Sequence, residues 1–127
     1  MSNPTKIMLI DDDLSVHKLI EMALAKQTME FAFVDSAVHG MRLIDEFQPH
    51  IIIMDLLLPD GIKGWDAIQQ LKAHNDTREI PILVITAGNN QHIARAMNAG
   101  ADAYLTKPFK VREFQSIVDS LTSAVQS

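Results

Sequence analysis

The stretch from His50 to Pro59, HIIIMDLLLP, decides the fold. His50 to Met54 runs apolar without alternation, which marks a strand buried on both faces, as in a parallel sheet covered by helices. A lone carboxylate, Asp55, then interrupts the run before Leu56 to Leu58, and Pro59-Asp60-Gly61 signals a turn. Burying an unpaired carboxylate is costly, so the acid belongs at the strand end, where its side chain can emerge.

Outward from this point the same pattern repeats. Upstream, Lys6 to Ile10 (KIMLI) stops at Asp11-Asp12-Asp13, and Met29 to Val34 carries Phe31 and Phe33 in alternation. Downstream, Pro81 opens the apolar run Ile82 to Ile85, which ends at Thr86 and Ala87; Ala103 to Leu105 ends at Thr106-Lys107-Pro108. Between these runs the apolar period is helical. One helix carries Val16, Leu19, Ile20, Ala23 and Leu24, and the next Ala37, Met41, Ile44 and Phe47. Trp65, Ile68 and Leu71 mark the third, Ile93 and Met97 the fourth, and Val111, Phe114, Ile117, Val118 and Leu121 the fifth. Asp13 or Ser15 caps the first helix, Ser36 caps the second, and Gly100 stops the fourth. Gly40, inside a helix, predicts a close contact. Five strands in strict alternation with five helices predict an α/β fold: a doubly wound, five-stranded parallel sheet with helices on both faces. An eight-stranded barrel needs about twice this length.

The chain has 127 residues, enough for one domain with its own core. Its 11 basic and 16 acidic side chains give a formal charge of −5, which argues against direct binding to nucleic acid. It has no cysteine, so disulfides and thiolate metal sites are excluded. No apolar run approaches a membrane span, and no signal-peptide pattern opens the chain. These features together lead us to expect a cytoplasmic protein.

In open α/β sheets, ligands sit beyond the carboxyl ends of the strands. Asp11 to Asp13, Asp55, Thr86 and Lys107 all follow strands, so one rim gathers carboxylates, a hydroxyl and an ammonium. Clustered carboxylates repel unless a cation is present, and an all-oxygen cluster suits a hard cation, Mg2+ best. Lys107 would face an anion, and the set as a whole suits a transferring phosphoryl group. No Ser, Cys or His is expected inside the cluster, so the nucleophile must be a carboxylate, and Asp55 is the best candidate. Each feature taken alone has a plainer reading, as helix-start charge, strand end or turn; the combination at four strand ends carries the weight.

With these residues in hand, the sequence resembles the response-regulator receiver domains of two-component signalling, the CheY-like family. The matching stretches are MLIDDD, IIIMDLLLPD, ILVITA and GADAYLTKPF, and the similarity covers the chain from Lys6 to about Leu121. The resemblance implies the flavodoxin-like strand order 2-1-3-4-5 and a single receiver domain over residues 1–127, with flexible ends at 1–5 and 122–127. It implies that Asp55 is the phosphoacceptor, and that Asp11, Asp12, Asp55 and the Leu57 carbonyl hold Mg2+. Lys107 pairs with the phosphoryl group, Thr86 is the switch hydroxyl, Tyr104 is the switch aromatic, and the Lys107–Pro108 bond is cis. Asp13 matches no position the family requires. Implied partners are a sensor histidine kinase or histidine phosphotransfer protein, and a downstream effector or output domain. The surface expected to change on phosphorylation spans Asn89 to Asn98 and Val111 to Leu121, and it could also form a phosphorylation-dependent homodimer. The implied protein is not an enzyme beyond its own phosphotransfer and dephosphorylation.

The loop from Pro59 to Gly64 departs from the family by one extra residue. Leu57 stands where a phosphohydrolase acting through an aspartyl phosphate would carry a second acid, which argues against that class. A phosphorylation-independent docking module of the same fold is the alternative, and a flavin-binding fold is disfavoured by the acidic rim. The five histidines are too scattered to suggest a metal site, and the seven methionines, Trp65 and Phe109 are expected to pack.

Overall fold

The computed structural model describes residues 4–25, 28–58, 63–87 and 89–126, the side chains of 124–126 excepted. The elements alternate as β1 (Thr5–Ile10), α1 (Leu14–Ala23), β2 (Met29–Val34), α2 (Ala37–Phe47), β3 (Ile51–Met54), α3 (Gly64–Ala73), β4 (Ile82–Thr86), α4 (Asn90–Ala99), β5 (Ala103–Thr106) and α5 (Val111–Gln126). The five strands form one parallel sheet in the order β2-β1-β3-β4-β5, the expected arrangement. Ile10 is level with Val34 and with Met54, Met54 with Val84, and Thr86 with Thr106. The strands therefore end along one rim.

Every residue of β3 and β4 is buried, because alternate side chains serve two separate layers. Met8, Ile10, Ile52, Met54, Ile82 and Val84 pack with Ile44, Ile68, Leu71 and Ala96 from α2, α3 and α4. Ile7, Leu9, Ile51, Ile53, Leu83 and Ile85 pack with Val16, Ile20, Phe114 and Val118 from α1 and α5. Each such buried Val, Leu, Ile, Met or Phe side chain contributes about 1.5–3 kcal/mol. This explains the unbroken apolar runs, since a strand with a helix layer on either side has no solvent face.

Local chemistry sets the helix starts and stops. Asp13 caps α1, accepting the Ser15 N–H at 2.9 Å, and Ser36 caps α2, accepting the His39 N–H at 3.2 Å. Gly100 ends α4 at φ 119°, in the left-handed region that glycine enters without penalty. A Cβ at Gly40 would lie 2.6 Å from Ile10 Cδ1, so α2 sits directly on β1.

Two expectations need correction. The methionines are not all core filler: Met8 and Met54 are buried, but Met22 and Met97 lie on the outward faces of α1 and α4 and are exposed. The apolar period of the last helix stops at Leu121, yet α5 continues to Gln126. The unusual loop at residues 59–62 lies outside the described residues. Among the described residues, no helix is long and apolar enough to cross a membrane.

Candidate functional site

The level strand ends bring Asp11, Asp12, Asp55 and Lys107 together. Asp11 extends β1, its N–H bonded to the Val34 carbonyl at 3.0 Å, and Asp55 extends β3, its N–H bonded to the Ile10 carbonyl at 3.0 Å. The Lys107 N–H donates to the Thr86 carbonyl at 3.0 Å, carrying the β4–β5 pairing one residue further. These backbone bonds fix where each side chain leaves the sheet.

Lys107 Nζ donates to Asp11 Oδ2 at 3.1 Å and to Asp55 Oδ2 at 3.0 Å, so one ammonium bridges two carboxylates from different strands. Asp55 Oδ1 accepts the Leu57 N–H at 3.1 Å, and Asp11 Oδ1 accepts the Asp13 N–H at 2.9 Å. Carboxylate oxygens of Asp11, Asp12 and Asp55 all lie within 4.8 Å of one another. Asp11 is fully buried, Asp55 nearly so, and Asp12 is exposed.

The electrostatics follow from burial. Desolvation is the largest influence on Asp11 and raises its pKa; the Asp13 N–H and Lys107 offset this only in part. Burial alone would lower the pKa of Lys107, but its hydrogen bonds and charge attraction to Asp55 and Asp11 outweigh it, and the net shift is upward. The ammonium is thus held charged against two acids, one of which is itself costly to ionise. Asp13 moves the other way, since its bonds from the Ser15 hydroxyl and N–H lower its pKa.

The donor set fits a hard divalent cation, being all oxygen and drawn from three carboxylates.

A family model for the response regulator receiver domain matches residues 7–119. The chain belongs to this family. Its receiver domain is 34% identical, over 117 residues, to the DNA-binding dual master transcriptional regulator RpaA of Synechocystis, covering 91% of this chain and 48% of the relative. The chain thus spans about half the length of the curated relatives it matches. Among solved structures, a Chloroflexus aurantiacus protein assigned as a response regulator has a TM-score of 0.88 at 30% identity, covering 95% of this chain and 99% of that one. The receiver domain of the Pseudomonas aeruginosa sensor histidine kinase PA1611, with magnesium coordinated in its active-site cleft, has a TM-score of 0.84 at 27% identity over the same shares of the two chains.

The remaining predicted residues of the receiver domain take separate positions. Thr86 closes β4 on the same rim and is fully buried. Tyr104 stands on β5, level with Val84, and is 49% exposed. The Lys107–Pro108 peptide is cis. Of the two cap candidates the sequence offers for α1, Asp13 is the one that caps it, while Ser15 donates to it. Sequence reasoning missed His17, whose ring Nε2 lies 2.6 Å from the Asp11 carbonyl. That contact has no signature in spacing, because it depends on how α1 leans back over the turn.

Proposed function

We propose that the receiver domain accepts a phosphoryl group on Asp55 and relays the change to a partner surface. The bridge from Lys107 to Asp55 and Asp11, within a three-carboxylate cluster, carries this reading. A carboxylate oxygen of Asp55 attacks phosphorus, the P–N bond of a donor phosphohistidine breaks, and the histidine nitrogen leaves with the electron pair. Lys107, already on Asp55 Oδ2, is placed to meet the incoming phosphoryl oxygens. The Leu57 N–H orients the carboxylate through Oδ1. Asp11, Asp12 and Asp55, with the Leu57 carbonyl, would hold Mg2+, which when bound supplies positive charge to the phosphoryl oxygens.

The new phosphoryl group adds roughly −1.5 to −2 charge. In this reading Thr86 moves to bond it, Tyr104 fills the space vacated, and the α4–β5–α5 face changes. The donor is a histidine kinase or histidine phosphotransfer protein, and the reader of the face is an effector or an output domain. The domain's own chemistry is confined to gaining and losing the phosphate. We infer a cytoplasmic location from the cysteine-free composition.

Intact mass after incubation with acetyl phosphate tests the proposal, with and without Mg2+, on wild type and Asp55→Asn. The expected result is a Mg2+-dependent gain of one phosphoryl group that the variant lacks. No gain, together with no response to beryllofluoride and Mg2+, would instead favour a phosphorylation-independent docking module.

A further inference from the structure

Three rings run from the edge strand to the acidic turn. Phe31 stacks on Phe33 at 5.2 Å between centroids, and Phe33 stacks on His17 at 4.8 Å with 14° between the planes. His17 Nε2 then meets the Asp11 carbonyl at 2.6 Å. A carbonyl oxygen only accepts, so Nε2 carries the hydrogen. With this bond every polar atom of Asp11 is engaged: N–H to Val34, Oδ1 from Asp13, Oδ2 from Lys107 and the carbonyl from His17.

The Asp11 carbonyl belongs to the peptide that leads into Asp12. Fixing its direction fixes the peptide plane, and with it the direction in which Asp12 leaves the chain. Asp12 is the exposed acid of the cluster, at the head of a turn, so its placement depends most on its neighbours. On the far side, Asp13 is fastened as the cap of α1. The turn is therefore pinned on both sides of Asp12, and a stacked imidazole supplies the first of the two pins.

We propose that His17 is a positioning residue for the cation site: its Nε2–H, held in plane by Phe33, orients the Asp11–Asp12 peptide and so places the Asp12 carboxylate. This rests on the reading of Asp11, Asp12 and Asp55 as the Mg2+ ligands. Partners that orient metal ligands by hydrogen bonds commonly change affinity by about 10–100-fold when removed.

Calorimetric titration with MgCl2 of wild type, His17→Leu, His17→Gln and Asp12→Asn tests the proposal, with melting temperatures measured alongside. Mg2+ affinity falls on the order of tenfold in His17→Leu. His17→Gln keeps a side-chain N–H of similar reach and recovers most of the loss. Wild-type affinity in His17→Leu would overturn the proposal, as would equal losses in the leucine and glutamine variants. If Asp12→Asn binds Mg2+ as wild type does, or wild type binds none, the cation reading itself falls and this proposal with it. Loss in Asp12→Asn with full binding in His17→Leu sinks the role of His17 alone. Long-range nitrogen–proton correlations on the unsubstituted protein add a readout free of folding effects. They should place the ring hydrogen on Nε2, and a neutral ring with its hydrogen only on Nδ1 would overturn the assignment.

Discussion

Taking Asp11 out of water raises its pKa above the ordinary 3.8, and the Asp13 N–H and Lys107 ammonium do not fully compensate. A carboxyl that holds its proton more tightly in the folded state weakens folding once the pH rises past its unfolded value. Below about pH 3.8 the group is protonated in both states and the penalty vanishes. Asp11→Asn is therefore expected to raise the melting temperature of the metal-free protein by a few degrees at neutral pH, with the gain shrinking toward pH 4. The same change should weaken Mg2+ binding, so calorimetry and thermal melts should move in opposite directions; a lower melting temperature at neutral pH would refute the account. Leu57 presents a different residue-scale question. It follows Asp55 by two positions and is half exposed, its N–H already committed to the Asp55 carboxylate. An apolar side chain there gives an attacking water nothing to bond, whereas an amide could orient one. Leu57→Asn should shorten the lifetime of the phosphorylated protein severalfold, followed as the decay of the phosphorylated band on a phosphate-affinity gel.

At the scale of elements, α3 begins against the backbone that adjoins Asp55. A Cβ on Gly64 would lie 2.8 Å from the Leu56 Cα, and the Gly64 N–H bonds the Leu56 carbonyl at 3.2 Å. No side-chain rotation relieves a contact with backbone, so helix or strand end must shift. Gly64→Ala should cost about 1–3 kcal/mol, read as a lower denaturant midpoint with an unchanged slope. It should also slow phosphorylation, because Leu56 is the residue next to Asp55. This contact was not legible in the sequence, where Gly64 reads only as the end of a turn. The elements themselves were legible, for physical reasons. Ile51 to Met54 and Ile82 to Thr86 serve two core layers and so read as unbroken apolar runs. Ser36 and Gly100 announce helix ends because backbone groups there need an outside partner or a left-handed residue. The extent of α5 was less legible, since its last turns lose the apolar period although Thr122 still donates its hydroxyl to the Val118 carbonyl at 2.8 Å. Met22 and Met97 misled for a related reason, because hydrophobicity does not say which face of a helix a residue occupies.

For the molecule as a whole, the acid rim could be read from sequence because parallel strands must end together. The bridging of Asp11 and Asp55 by Lys107 could not, since it joins residues 52 and 96 positions apart and needs the β1–β3–β4–β5 order to bring them within reach. That order also sets the path from Asp55 to the outer face. Thr86 is buried at the end of β4, and Tyr104 stands half exposed on the adjoining strand β5. Under the proposed switch, a phosphoryl group on Asp55 favours the conformation in which Thr86 has moved and Tyr104 has turned inward. Moving a two-state equilibrium from 1:99 to 99:1 takes about 5.5 kcal/mol of differential stabilisation, more than one new hydroxyl bond supplies. A partial shift of Tyr104 is therefore expected, with a binding partner supplying the remainder. Beryllofluoride with Mg2+, followed by the ring resonances of Tyr104, the only tyrosine in the chain, measures that shift directly. In wild type the ring signal should move toward a buried environment without reaching a single state. In Thr86→Ala the amide of Asp55 should still respond to beryllofluoride while the Tyr104 ring stays in place, because the hydroxyl that couples the two sites is gone. If Tyr104 shifts equally in both proteins, the coupling runs by another route and Thr86 is not the switch.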